Sequence, residues 1–216
     1  MIENKQIISQ KQVSEGIKDD NSIWLFIVAL VIAVGFYAQF ESEIRFVMML
    51  SAVILITSFT TISYFAVKIG NVDKKFKTLM VVNILSSLII PVIIQSLTHP
   101  IFTDIERAVV IEKITEYGVF SAGLESFSFL LYQMMAVVFV FIYIIFVFSF
   151  GIIHMISMLY LATNPKGEKR CKLFGWIYKK TYFKSVGWYI TMVGILLLFS
   201  FAMASGLLLS LINSNN

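Results

Sequence analysis

Hydrophobic and polar positions in this chain fall into blocks. Residues 21–40, 46–67, 78–103, 126–165 and 185–216 carry no Asp, Glu, Lys or Arg, and every charge lies between or before these runs. A helix needs about 20 apolar residues to cross the hydrocarbon core. Each run is long enough, so the pattern predicts an all-α, polytopic membrane helix bundle of about five transmembrane helices (four to five). They are placed near 22–40, 46–68, 78–97, 127–161 and 186–211. The period-2 alternation of a membrane barrel is missing. In lipid the backbone must bond to itself, so helices are the expected form.

The first two runs are separated by only about five residues, 41–45, and are expected to form an antiparallel hairpin. The third run contains Pro91, which removes a backbone donor and crowds the Ser87 carbonyl, so a kink is expected there. Asn83, Ser87, Pro91 and Gln95 make this the most polar run. They either line a pore or pack inward against a neighbour. The fourth run also holds Gln133 and His154, and His154 is the only acid or base inside an expected span besides tyrosine. From Ser126 to Ala162 it would be roughly 55 Å long as a helix, well beyond a core of about 30 Å. Three readings follow: steep tilt with protrusion, a break near Gly151, or an apolar excess covered by neighbouring protein. Tilt averages only about 20° and does not absorb the excess alone, so protrusion into the cytoplasm beside other subunits is favoured. In the fifth run Ala202 and Gly206 have the small-xxx-small spacing that lets helices approach closely.

The polar segments set the domain plan. Residues 1–21 read as a short cytoplasmic tail and not as a cleaved signal, because no basic start leads quickly into an apolar run. The bundle occupies 22–212, and 213–216 form a polar tail. Thr103 and Glu106 match a capping box, so an acidic outer helix is expected near 104–117, ending at Gly118. The segment 166–184 is basic.

Charge then orients the bundle. The tail, the 68–77 segment and the 166–184 segment hold three, four and seven Lys or Arg, so 14 of the 17 fall on one side. Basic loops stay cytoplasmic, which places the N-terminus inside. Composition agrees with a membrane protein: 58% of residues are hydrophobic, only 14% are charged, and mean hydropathy is +0.86. A single cysteine, Cys171, excludes an internal disulfide.

The inventory of chemistry is thin. No HExxH, nucleotide-binding glycine loop, intramembrane aspartate pair or cluster of metal-ligating residues is present. The expectation is a non-enzymatic protein without cofactors. Surplus apolar length points to a homo-oligomer in the lipid bilayer. Lys74, Lys75, Lys77, Lys169, Arg170, Lys172, Lys179, Lys180 and Lys184 are the candidate docking residues for a cytoplasmic protein partner. Direct nucleic-acid binding is not expected, because a loop between spans is basic for topological reasons alone.

The whole-chain profile resembles the small membrane subunit of the two-gene Kiwa anti-phage system. The likeness lies in size, the short polar tail, four or five spans and the basic loop at Lys166–Lys184. It implies a bacterial inner-membrane scaffold or sensor that oligomerises and holds a cytoplasmic DNA-binding partner. The same features resemble small bacteriocin-immunity membrane proteins. The alternative function is an oligomeric ion or small-solute channel lined by Asn83, Ser87 and Gln95.

Overall fold

A computed structural model describes residues 23–69, 73–103, 105–118, 123–164, 169–181 and 185–213. The tail 1–21, Lys184 and residues 214–216 lie outside these. The described residues form an all-α bundle without strands. In chain order the helices are α1 (Ile23–Gln39), α2 (Glu41–Ile69), α3 (Lys74–Ser87), α4 (Ile89–Thr98), α5 (Arg107–Tyr117) and α6 (Leu124–Phe146). A π-helical segment (Val147–Ile152) joins α6 to α7 (Ile153–Thr163), and α8 (Lys169–Thr181), α9 (Val186–Ala204) and α10 (Leu207–Asn213) follow.

Four helical stretches among the described residues are long and apolar enough to cross a membrane: Glu41–Ile69, Lys74–Thr98, Leu124–Thr163 and Val186–Ala204. The protein is therefore a multi-pass membrane protein, clothed by large exposed apolar side chains such as Leu25, Phe26, Val67 and Leu198. α1 is apolar but only 17 residues long, the lower limit for a crossing of about 17–25 residues.

α1 does not form the expected full-length hairpin. Only Phe40 separates it from α2, and the Phe36 carbonyl accepts from Phe40 N–H while the Phe40 carbonyl accepts from Ile44 N–H. Residues 41–45 are thus the first turn of α2, where Glu41 and Glu43 suit the positive end of the helix dipole. α2 buries one line, Met48, Ala52, Leu55, Phe59, Ile62 and Ala66, spaced by three and four residues toward the other spans. No second buried line is left for α1. Residues 23–28 are all exposed, and α1 buries only Val34, Tyr37 and Ala38 near its end.

The third span divides at Leu88, between α3 and α4. Pro91 lies in the first turn of α4, where a missing N–H is tolerated; it still leaves the Ser87 carbonyl without its helical donor. α4 ends just before Pro100, and the Ser185 hydroxyl caps α9 by accepting from Trp188 N–H at 3.1 Å.

The fourth span runs unbroken for 40 residues, Leu124–Thr163, about 60 Å. A change of winding, not a break, marks Gly151. Both overhangs are covered from within the same chain. At one end α10 packs against α6, and at the other α8 folds back on α7. Tyr160 stacks on Phe174 with ring centres 4.1 Å apart. The favoured reading, protrusion beside other subunits, is corrected to this extent: the basic segment of the same chain covers the excess.

The outer helix starts at Arg107 rather than near 104, with Glu106 at its N-cap. Thr103 does not complete a capping box; its hydroxyl accepts from Ile105 N–H at 3.3 Å. Its C-cap is Gly118, at φ +84°, as expected.

The fifth span is also corrected. α9 ends at Ala204, and Gly206 sits beyond it at φ +78°, so Ala202 and Gly206 do not share a helical face. The Ser205 carbonyl there accepts from Ile101 and Phe102 N–H at 3.1 and 3.0 Å. A Cβ on Gly206 would meet Thr103 Cγ2 at 2.8 Å. Gly206→Ala is expected to cost about 1–2 kcal/mol from the left-handed backbone alone. Thermal unfolding in detergent micelles, followed by tryptophan fluorescence, measures it; an unchanged midpoint would show that this turn relaxes freely.

Candidate functional site

Polar side chains gather at four places in the bundle. The first is the end carrying α5. Glu41 and Arg45 lie one turn apart on α2, with Arg45 Nε 2.7 Å from Glu41 Oε1. Arg107, the first residue of α5, forms an ion pair with the same carboxylate oxygen. Glu41 and Arg107 side chains are only 9% and 6% exposed. Arg45 also donates to the Thr98 hydroxyl at 3.0 Å, and Tyr37 of α1 is buried beside them. One carboxylate thus ties α2, α4 and α5 together through two guanidiniums. The spacing at 41 and 45 was a usable sequence signal for half of this cluster. The Arg107 contact, 66 residues away, had none.

Nearer the middle, Gln133 donates to the Leu97 carbonyl at 3.1 Å and Ser200 to the Ala136 carbonyl at 2.8 Å. These bonds tie α6 to α4 and to α9. Both side chains are fully buried, and in an apolar interior each bond avoids the penalty of an unpaired polar group.

The densest network surrounds the π-helical segment. The Tyr189 hydroxyl donates to Asn83 Oδ1, and the Asn83 amide lies 3.8 Å from Met155 Sδ. The Tyr143 hydroxyl is 2.8 Å from Ser86 Oγ and 3.4 Å from Ser87 Oγ, and both serines bond back to the Asn83 carbonyl. Gly151 makes the closure possible. A Cβ there would lie 2.9 Å from the Tyr189 hydroxyl, 3.2 Å from Asn83 Nδ2 and 3.3 Å from Phe59 Cζ. Four spans therefore meet at one glycine.

The fourth is the α7–α8 hairpin. His154 is buried, its ring stacked 4.8 Å from Tyr178 and its Nδ1 3.1 Å from the Thr181 hydroxyl. It serves as a joint between α7 and α8. Helix α8 has two faces. Phe174, Ile177, Tyr178 and Thr181 are half-buried on the side of α7, whereas Arg170, Lys172, Leu173, Trp176, Lys179 and Lys180 are exposed. Trp176 is 60% exposed with the Lys180 ammonium 6.0 Å above its ring. Lys169 opens α8, and Lys74, Lys75 and Lys77 begin α3 at the same end of the bundle.

The polar residues of the third span do not form one stripe. Asn83 and Ser87 are fully buried and bonded, Pro91 is half-buried at the bend, and Gln95 is exposed on the outward face of α4. No group of three or more His, Cys, Asp or Glu able to hold a metal occurs among the described residues. Comparison with protein-family models, with curated proteins and with solved structures finds nothing that matches this chain.

Proposed function

We propose that the chain is a non-enzymatic scaffold or sensor subunit of the bacterial inner membrane, which self-associates and docks a cytoplasmic protein, in the service of anti-phage defence. The observation that carries this reading is the pair of faces on α8. One face is spent on α7, and the other presents Leu173 and Trp176 among Arg170, Lys172, Lys179 and Lys180 without an acid in the helix. Exposed tryptophan ringed by cations is the composition of an interface anchor, with aromatic area for affinity and charge for steering. The defence setting rests on the whole-chain resemblance to the Kiwa membrane subunit.

The channel reading has less support. Its three lining candidates are split between the core and the outward face, and Asn83 and Ser87 are committed to bonds within the chain.

The test is a photo-crosslinking amino acid at Trp176 in cells of the native host. One soluble protein should be captured there, none from a control position at Leu198, and Lys179→Glu with Lys180→Glu should abolish the adduct. Capture of lipid alone at Trp176 would sink the docking role.

A further inference from the structure

The charges at the α5 end of the bundle do not balance. Glu41 is the one carboxylate among the described residues that reaches Arg45 and Arg107, so the cluster holds two cations and one anion. Glu106, the N-cap of α5, is exposed and gives the helix no side-chain cap. Arg45 is partly exposed and donates to Thr98 as well, so water shares its charge. Arg107 is enclosed, and the surplus positive charge falls on it. Its Nη2 faces Glu41, but its Nε is buried with no hydrogen-bond partner among the described residues. The Tyr37 hydroxyl of α1 lies beside this guanidinium without a well-formed bond to it. That hydroxyl is also buried and unbonded among the described residues. Tyr37 is 3% exposed and Arg107 7%.

A buried donor without an acceptor and a buried cation without a counter-charge are both strongly unfavourable. One negatively charged acceptor removes both penalties. Water would satisfy the donors but leave the charge. A lipid phosphodiester carries the charge, but the two donor atoms are closed to the surface, and its bulk keeps it outside. The first turn of α5 adds to the attraction, because Arg107 is its first residue and N-terminal amides carry partial positive charge. We infer that this cluster is an anion site, which takes one small inorganic anion of halide size on Arg107 Nε–H and Tyr37 O–H. The ion would tie α1 to α5, as Glu41 ties α2 to α5. The site lies at the opposite end of the bundle from α8 and is independent of the docking reading.

Chloride against gluconate at one ionic strength tests it, because screening is then equal and gluconate is too large for the site. The full chain is unfolded by heat in maltoside micelles, which bring no phosphate. Chloride at about tenfold its dissociation constant should raise the midpoint by about 3–6 °C over gluconate, and bromide should act likewise. Arg107→Gln and Tyr37→Phe should each weaken the chloride affinity by about tenfold or more. The readout is a difference between two salts, so it survives a loss of stability in the variants themselves. Lys179→Glu with Lys180→Glu, at the other end of the bundle, should keep the full response. Equal midpoints in the two salts overturn the proposal. So does a full chloride response in either Arg107→Gln or Tyr37→Phe, which would place the ion elsewhere. Recovery of the whole response in gluconate by added phosphatidylglycerol also overturns it, since a headgroup would then be the source.

Discussion

Glu41→Ala should destabilise the bundle by about 3–5 kcal/mol, the usual result of stripping one member from a buried ion pair. The carboxylate is shared by two guanidiniums, and its removal leaves Arg107, only 6% exposed, with its charge uncompensated. Arg45 is 30% exposed and can turn toward water; Arg107 has no such escape. α5 should therefore lift away from α2 first, and protease cleavage within 105–118 should accelerate before the spans unfold. The double variant Glu41→Leu with Arg107→Leu should recover much of the loss, because removing both charges of a buried pair is often near neutral. Tryptophan-monitored unfolding in detergent, with limited proteolysis alongside, reads both outcomes. A loss for Glu41→Ala within about 0.5 kcal/mol would show a hydrated cluster instead of a buried one.

This cluster marks where reading the sequence stops short. Charge-free runs located the four long spans to within a few residues: 78–97 became Lys74–Thr98, and 186–211 became Val186–Ala204 plus α10. Lipid cannot solvate charges, so a span's limits are written in where charges stop. The converse fails. A charge at the edge of an apolar run need not be solvated, and Glu41 and Arg107, read as loop charges, are among the most enclosed side chains at that end. Their burial depends on a pairing 66 residues apart, and local spacing carries no trace of it. The same holds for Tyr143 and Tyr189. Both belong to aromatic-rich runs, and nothing in those runs separates the hydroxyls that reach Ser86 and Asn83 from the ring of Tyr64, which is 65% exposed. Gln95 is the opposite case. Its polarity was visible in the sequence, but the face it occupies was not, and that face decides whether it lines or packs.

Gly151 joins these threads, and its replacement should be the most informative change in the core. Gly151→Ala places a methyl group 2.9 Å from the Tyr189 hydroxyl, 3.2 Å from Asn83 Nδ2 and 3.3 Å from Phe59 Cζ. None of the three yields easily, because the hydroxyl and the amide hold each other and Phe59 is fully buried. Overpacking of this kind costs about 1–3 kcal/mol, and Gly151→Val should exceed Gly151→Ala. Tyr189→Phe removes the nearest obstruction but leaves Asn83 Oδ1 without its donor, at about 1–3 kcal/mol. The two effects share one space, so they should not add. Gly151→Ala with Tyr189→Phe should cost less than the summed singles by at least about 0.5 kcal/mol, since the methyl then occupies the volume that the hydroxyl vacates. Unfolding midpoints of the four proteins in one detergent close the cycle. Strict additivity would mean that the π-helical segment shifts to accept the methyl and that the Asn83–Tyr189 bond does not depend on a bare backbone at Gly151. Coupling would establish that the change of winding in the 40-residue span exists to bring a side-chain-free surface to Asn83, where the second, third, fourth and fifth apolar runs are locked together.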